Sequence, residues 1–278
     1  MNINQKNQYL SFPHFLFYPL DADADHILRD KSDCKIIHLI RHGEATHQVT
    51  AIEEAKKGRK CRCFDSAWTR NNDVKDCPFL DPLLIDSELT RKGREEVMGQ
   101  AAGCGAELIF TAAARRSIQT AIDSFTVKGS AGMGKPGIPK IIVLEHLRSL
   151  ISAHIHSKRL PLDRLKAAFP EADFSFLEHN EDVFWKPETE SRLSLDFRLS
   201  LFLRELFRRP EKNIAVVTHF TVLLALFSAA DETEVLGKNL LRPAHDLPWL
   251  YSGEKPVSSA LNSMLKPGEI SSLIIVPD

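Results

Sequence analysis

Arg41-His42-Gly43-Glu44 directly follows the apolar run Ile36-Ile37-His38-Leu39-Ile40. A guanidinium fixed beside an imidazole can hold a dianionic oxyanion while the ring nitrogen attacks it or moves its proton. Two later steps of the chain offer the same chemistry. Arg116 lies in Ala114-Arg115-Arg116-Ser117-Ile118-Gln119-Thr120, and His219 closes Ala215-Val216-Val217-Thr218-His219. Two guanidiniums and two imidazoles suit a phosphoryl group, whose oxygens carry the charge to be neutralised.

The elements around these residues can be read from pattern. A short Ile-rich run closed by Gly reads as a buried strand ending in a tight turn. Arg41 and His42 then stand at the carboxyl edge of a sheet, where open α/β folds bind ligands. Strands are expected at 35–40, 108–111, 140–144, 214–218 and 272–276, and helices at 90–104, 114–125, 161–168, 191–209 and 221–229. Thr90 is the expected N-cap of the first of these helices, without a capping box, because Gly93 occupies the partner position. The alternation implies an α/β fold, a three-layer α/β/α sandwich with a mostly parallel sheet. Arg116 and His219 would join Arg41 and His42 at neighbouring strand ends.

Residues 1–34 read as an N-terminal arm, with Phe12, Phe15 and Phe17 packed on a single domain spanning 35–278. The segment 45–86 breaks the rhythm and holds Cys61, Cys63 and Cys77, so it reads as a lid or substrate-binding insertion. Residues 129–137 form a Gly-rich linker, and 246–278 a tail wrapping back to the sheet edge.

The net charge of −1 gives no general field for nucleic acid or a membrane surface. Pro13 and Pro19 interrupt the apolar stretch 10–20, and no run approaches the length of a membrane helix. The expectation is a soluble, cytoplasmic protein with reduced cysteines; the five present form no paired C-x-x-C framework. Cys61-Arg62-Cys63 with Cys77 lacks a suitably spaced histidine, so neither a metal nor any other cofactor is expected. The basic stretch from Lys56 to Arg62 reads as a solvated helix face. The pair His154 and His156 reads as surface or substrate-loop material. The oligomeric state is not legible.

Leu39-Ile40-Arg41-His42-Gly43-Glu44, Leu89-Thr90-x-x-Gly93, Arg116-x-x-x-Thr120 and Val217-Thr218-His219 together resemble the histidine phosphatase superfamily, the phosphoglycerate mutase-like fold (branch 1), in a divergent phosphatase-like form. The resemblance spans residues 35–230. It implies that His42 is a nucleophile taking the phosphoryl group as phosphohistidine, with Arg41, Arg116 and His219 as the phosphate clamp and no cofactor. Gly43 and Thr46 belong to the substrate-binding loop by the same reasoning. Three departures stand out. Gln48 replaces the usual Asn six residues past the nucleophile and is expected to keep a phosphate contact. Phe220 replaces a small residue and either narrows the pocket or packs into the core.

The third departure concerns the acid. The family's Leu-x-Glu step aligns with Leu147-Arg148-Ser149, where a serine cannot protonate a poor leaving group. Glu145 is the expected substitute, with His146 or His154 behind it; otherwise turnover is slow. The implied activity is a phosphomonoesterase acting on a phosphorylated small molecule or protein. The alternative is a pseudophosphatase that binds a phosphorylated partner. A mutase is less expected, because the acidic, tyrosine-bearing segment that mutases carry after the acid is not seen.

Overall fold

The computed structural model describes residues 15–19, 33–59, 77–127, 137–231 and 266–277. Cys61, Cys63, the end of the basic stretch from residue 60 on, residues 129–136 of the Gly-rich linker, most of the N-terminal arm and residues 246–265 lie outside them. Seven strands form one mixed sheet: β1 (Phe15–Pro19), β2 (Lys35–Arg41), β3 (Leu108–Ala112), β4 (Lys140–Leu144), β5 (Ala172–Asp173), β6 (Asn213–Thr218) and β7 (Ile270–Pro277). Their order across the sheet is β1-β7-β2-β6-β3-β4-β5. β2, β6, β3, β4 and β5 run parallel, and β7 runs antiparallel to both β1 and β2. The sheet is mostly parallel, as the strand-helix alternation implies.

Residues pointing to opposite faces of these strands build two cores. Ile37, Leu39, Phe110, Ile142, Leu144 and Val216 meet Leu199, Phe202 and Leu203 of α5 (Arg192–Arg208) and Val222 to Leu226 of α6 (Phe220–Asp231). Ile40, Ile109, Ile141, Val143, Ala215 and Val217 meet Ile118, Ala121, Ile122 and Phe125 of α3 (Arg115–Phe125) and Leu162 and Leu165 of α4 (Leu162–Ala168). The result is the expected α/β/α sandwich.

Two details differ from the pattern reading, the length of the first helix after the insertion and the place of the last strand. The helix expected over 90–104 is α2 (Arg91–Val97), which stops early. Thr90 does cap it, accepting from Gly93 N at 2.9 Å. Past Val97 the backbone turns at Gly99, with φ of 73°, and its N–H groups bond to the end of α3 instead: Gly99 N to Asp123 O and Ala101 N to Ser124 O. The terminal strand β7 is not at the sheet edge but inside it, because residues 15–19 add a further strand outside it. The insertion after β2 begins with a regular helix, α1 (Thr46–Lys56).

Candidate functional site

β2, β6, β3 and β4 are sheet neighbours running in one direction, so their carboxyl ends deliver Arg41-His42, Thr218-His219, the start of α3 and Glu145 to one edge. The turn after β2 is held by close backbone packing. A Cβ on Gly93 would lie 2.1 Å from Glu44 O, and one on Gly43 would lie 2.9 Å from Gly93 O. Around this contact, Thr90 N donates to Glu44 O at 2.9 Å, Thr46 N donates to Glu88 O at 3.0 Å, and Thr90 Oγ1 donates to Glu44 Oε1 at 2.8 Å. Two glycines thus let α2 lock the loop bearing His42.

His42 is buried, and its Nδ1 lies 2.8 Å from the Gly43 carbonyl oxygen. A carbonyl can only accept, so Nδ1 carries the proton and Nε2 of the neutral ring keeps its lone pair. Burial pushes the His42 pKa well below its usual value, with the Arg116 and Arg41 charges adding to the effect. Gly43 N donates to Thr120 Oγ1 at 3.0 Å, and that hydroxyl donates to Arg116 O at 2.8 Å, coupling the β2 turn to the first turn of α3.

Arg116 is only 1 % exposed. Its guanidinium donates to His156 O at 2.9 Å and to His219 Nδ1 at 3.3 Å, while its Nε has no partner. His219 Nε2 lies 3.4 Å from Ser117 Oγ and donates to it, since Nδ1 is the acceptor. The His42 and His219 rings stand 5.1 Å apart, nearly edge to face. Arg41 and Arg116 both have pKa values pushed down to about 10 by burial, so both stay charged at neutral pH. Phe220 lies with its ring 5.3 Å from the Arg41 guanidinium carbon, so this bulky residue serves as a platform for the cation while also touching the core.

Other expected residues are placed differently. Gln48 Oε1 accepts from Ala45 N at 2.9 Å, so its carbonyl closes the α1 N-terminus. Thr46 Oγ1 donates to Glu88 O at 3.3 Å. Glu145 opens a one-turn 3-10 helix (Glu145–Leu147), and its carboxylate is taken up by Arg159 Nε at 2.6 Å and Arg148 Nη1 at 3.4 Å. No hydrogen bond joins it to His42, Arg116 or His219. His146 offers its carbonyl to Arg198, on the α5 side of the sheet.

His154 is buried and His156 half-buried, so the pair is not plain surface material. His154 Nε2 lies 3.9 Å from Cys77 Sγ, and Phe79 packs against both rings at 4.8 and 5.0 Å. His156 stacks on His47 with centroids 4.2 Å apart, and His47 lies 6.1 Å from His42. Nothing in the sequence marks His47 beyond its place next to Gln48. Asp86 was equally silent. It is fully buried, with φ of 43°, and its carboxylate accepts from Arg115 N at 2.9 Å and Leu160 N at 3.0 Å. It thereby caps α3, which has no capping side chain of its own, and sets Arg116 in place. Among the described residues no group of three or more His, Cys, Asp or Glu could hold a metal ion, and no helix is long and apolar enough to cross a membrane.

No protein-family model matches the chain. A phosphoglycerate mutase-like protein of Arabidopsis thaliana is 27% identical over 219 residues, covering 70% of this chain and 74% of the relative. Phosphoglycerate mutase-like protein 1 of the same plant is 26% identical over 216 residues, covering 70% and 72%. These likenesses are consistent with a divergent member of the histidine phosphatase superfamily. The residues that carry the resemblance, Arg41, His42, Arg116 and His219, are those that converge on the sheet edge described above. Among solved structures, the ecdysone phosphate phosphatase from Bombix mori in complex with tungstate overlaps at 14% identity with a TM-score of 0.44, over 86% of this chain and 88% of that one. An overlap that loose adds nothing to what the geometry of this chain itself shows.

Proposed function

We propose that this chain is a phosphomonoester hydrolase working through a phosphohistidine on His42, with a phosphorylated small molecule or protein as substrate. One observation carries the reading. At the ends of adjacent strands, a neutral imidazole with its Nε2 lone pair free stands beside the buried Arg116 guanidinium, the half-buried Arg41 and a second imidazole. Such a group attacks phosphorus in line, while the cations take the charge on the equatorial oxygens. Arg41, Arg116 and His219 form the clamp, and the reaction uses no metal. Gly43 contributes through its backbone: its carbonyl fixes the His42 tautomer.

The test uses an aryl phosphate, whose good leaving group needs little acid, and an alkyl phosphate. Hydrolysis of the aryl ester, abolished by His42→Ala and accompanied by acid-labile phosphate on the wild-type protein, supports the reading. A wild-type protein that binds inorganic phosphate but hydrolyses neither ester overturns it. That result favours the second reading, a pseudophosphatase recognising a phosphorylated partner, for which Ser149 and the ion-paired state of Glu145 speak.

A further inference from the structure

Esters with poor leaving groups need a proton donor, and the acidic side chains near the clamp are occupied. Both Asp86 oxygens accept backbone N–H groups, and Glu145 is bonded to Arg159 and Arg148. What does open toward His42 is the stacked pair His47 and His156. His47 is 7 % exposed, its ring lies 6.1 Å from that of His42, and its Nδ1 has no partner; the Nδ1 of His156 has none either. Buried imidazole nitrogens without partners are uncommon. Here two occur on rings 4.2 Å apart at an interplanar angle of 10°.

We propose that the His47–His156 pair is the proton donor and acceptor of the reaction, one ring holding a single proton while the ring stacked on it stays neutral. The proposal rests on the phosphatase reading above. Two stacked imidazolium ions would repel, so the pair holds a single proton and titrates as a unit. The groups facing it are cationic or neutral in the ligand-free site: Arg116 from α3, His42 from β2, His219 from β6, with His154 and Cys77 behind His156. Burial together with these neighbours keeps both rings neutral there. A bound phosphate dianion reverses the sign of the local field and brings the proton in with it.

The steps then balance. The His42 Nε2 lone pair forms the N–P bond as the P–O bond to the alcohol breaks. The bonding electrons stay on the leaving oxygen, which takes the proton of the pair and departs as a neutral alcohol. Water next attacks phosphorus and loses one proton to the neutral pair, the N–P bond breaks with its electrons returning to His42, and inorganic phosphate leaves. Phe79, packed against both rings, shields the exchange from bulk water.

The experiment compares His47→Gln, His156→Gln and the double variant on an aryl and an alkyl phosphate. A lost acid should cut alkyl ester kcat/KM by about 100-fold or more and aryl ester turnover by less than about threefold. Glu145→Gln should then slow both esters equally. Equal losses on both esters in the histidine variants, or no loss on either, overturn the proposal while leaving His42-dependent hydrolysis intact. Wild-type protein that hydrolyses neither ester removes the phosphatase reading and the proposal together. Should the variants not fold, ring nitrogen NMR of wild-type protein titrated with inorganic phosphate decides the matter. One proton gained on this pair supports the proposal, and two rings that stay neutral at saturation overturn it.

Discussion

Gly93 approaches Glu44 so closely that a methyl group at Gly93 would lie 2.1 Å from the Glu44 carbonyl oxygen and 2.8 Å from its nitrogen. Both obstacles are backbone, which cannot rotate away. Gly93→Ala must push α2 off the loop that carries His42, and overpacking of this kind costs about 1–3 kcal/mol. We expect a lowered denaturation midpoint together with lost phosphate binding. An alanine variant with wild-type stability would show that the loop has room to move.

Gly43 N and Arg116 O share one hydroxyl, that of Thr120. Thr120→Val keeps the shape and removes the acceptor, stranding a buried N–H at a cost of about 1–3 kcal/mol. Because the hydroxyl joins the nucleophile's turn to the clamp helix, kcat for an aryl phosphate should fall further than Thr120→Ser makes it fall. Urea melts and steady-state kinetics on the two variants check this.

The loop carrying His154 and His156 hangs on a buried ion pair. Arg148 meets Asp182 through two bonds, of 2.8 and 2.7 Å, and also donates to Ser157 O at 3.1 Å. Removing one partner of such a pair leaves an uncompensated charge and costs about 3–5 kcal/mol. Asp182→Asn should therefore destabilise strongly in urea, far more than Arg91→Ala, which breaks only an exposed, solvent-screened pair with Glu95.

Burial holds the pKa values of His42, His47, His156 and His219 well below 6.5. The unfolded chain therefore binds protons that the native site refuses once the pH drops below 6.5. Stability from these groups is full above that pH and is lost as the pH falls toward the native values, by up to about 1.4 kcal/mol per pH unit for each group. Urea midpoints should fall between pH 7.5 and 5.5. Saturating inorganic phosphate should flatten the dependence, and His219→Gln should reduce its slope. Neutral His42 also predicts that aryl ester hydrolysis shows no loss attributable to the nucleophile as the pH drops through 6.5.

Phe220 under the Arg41 guanidinium predicts a binding defect rather than a chemical one. Phe220→Leu keeps the core contact but loses the ring face, a cation–π interaction worth about 0.5–2 kcal/mol. The KM for an aryl phosphate should rise several-fold with kcat nearly unchanged. A fall in kcat alone would argue that Phe220 acts elsewhere.

The sandwich and the gathering of Arg41, His42, Arg116 and His219 were legible because buried parallel strands write themselves as apolar runs and the polar residues that end those runs stand out. Thr90 was legible as a cap for the same local reason. Glu145, Gln48, His47, His156 and Asp86 were not, because each is defined by a partner far along the chain or by loop geometry that no periodicity encodes. Gln48 turns to Ala45 N, while Glu145 meets Arg159 and Asp86 meets Leu160. The early end of α2 was hidden too, since Gly99 N and Ala101 N find acceptors at the end of α3 rather than on their own helix.

The place of β2 in the sheet also bears on how the protein comes to exist. Its two neighbours are β6 and β7, with Ile36 beside Asn213 on one side and Ile274 on the other. On the ribosome, the strand that bears the nucleophile emerges long before either partner and waits, both edges unpaired, while the residues between them are made. Pairings this remote form slowly and leave a sticky apolar edge exposed in the meantime. The segment Ile36–Ile40 is thus where a chaperone has the most to shield, and nascent chains stalled before residue 213 should aggregate through it.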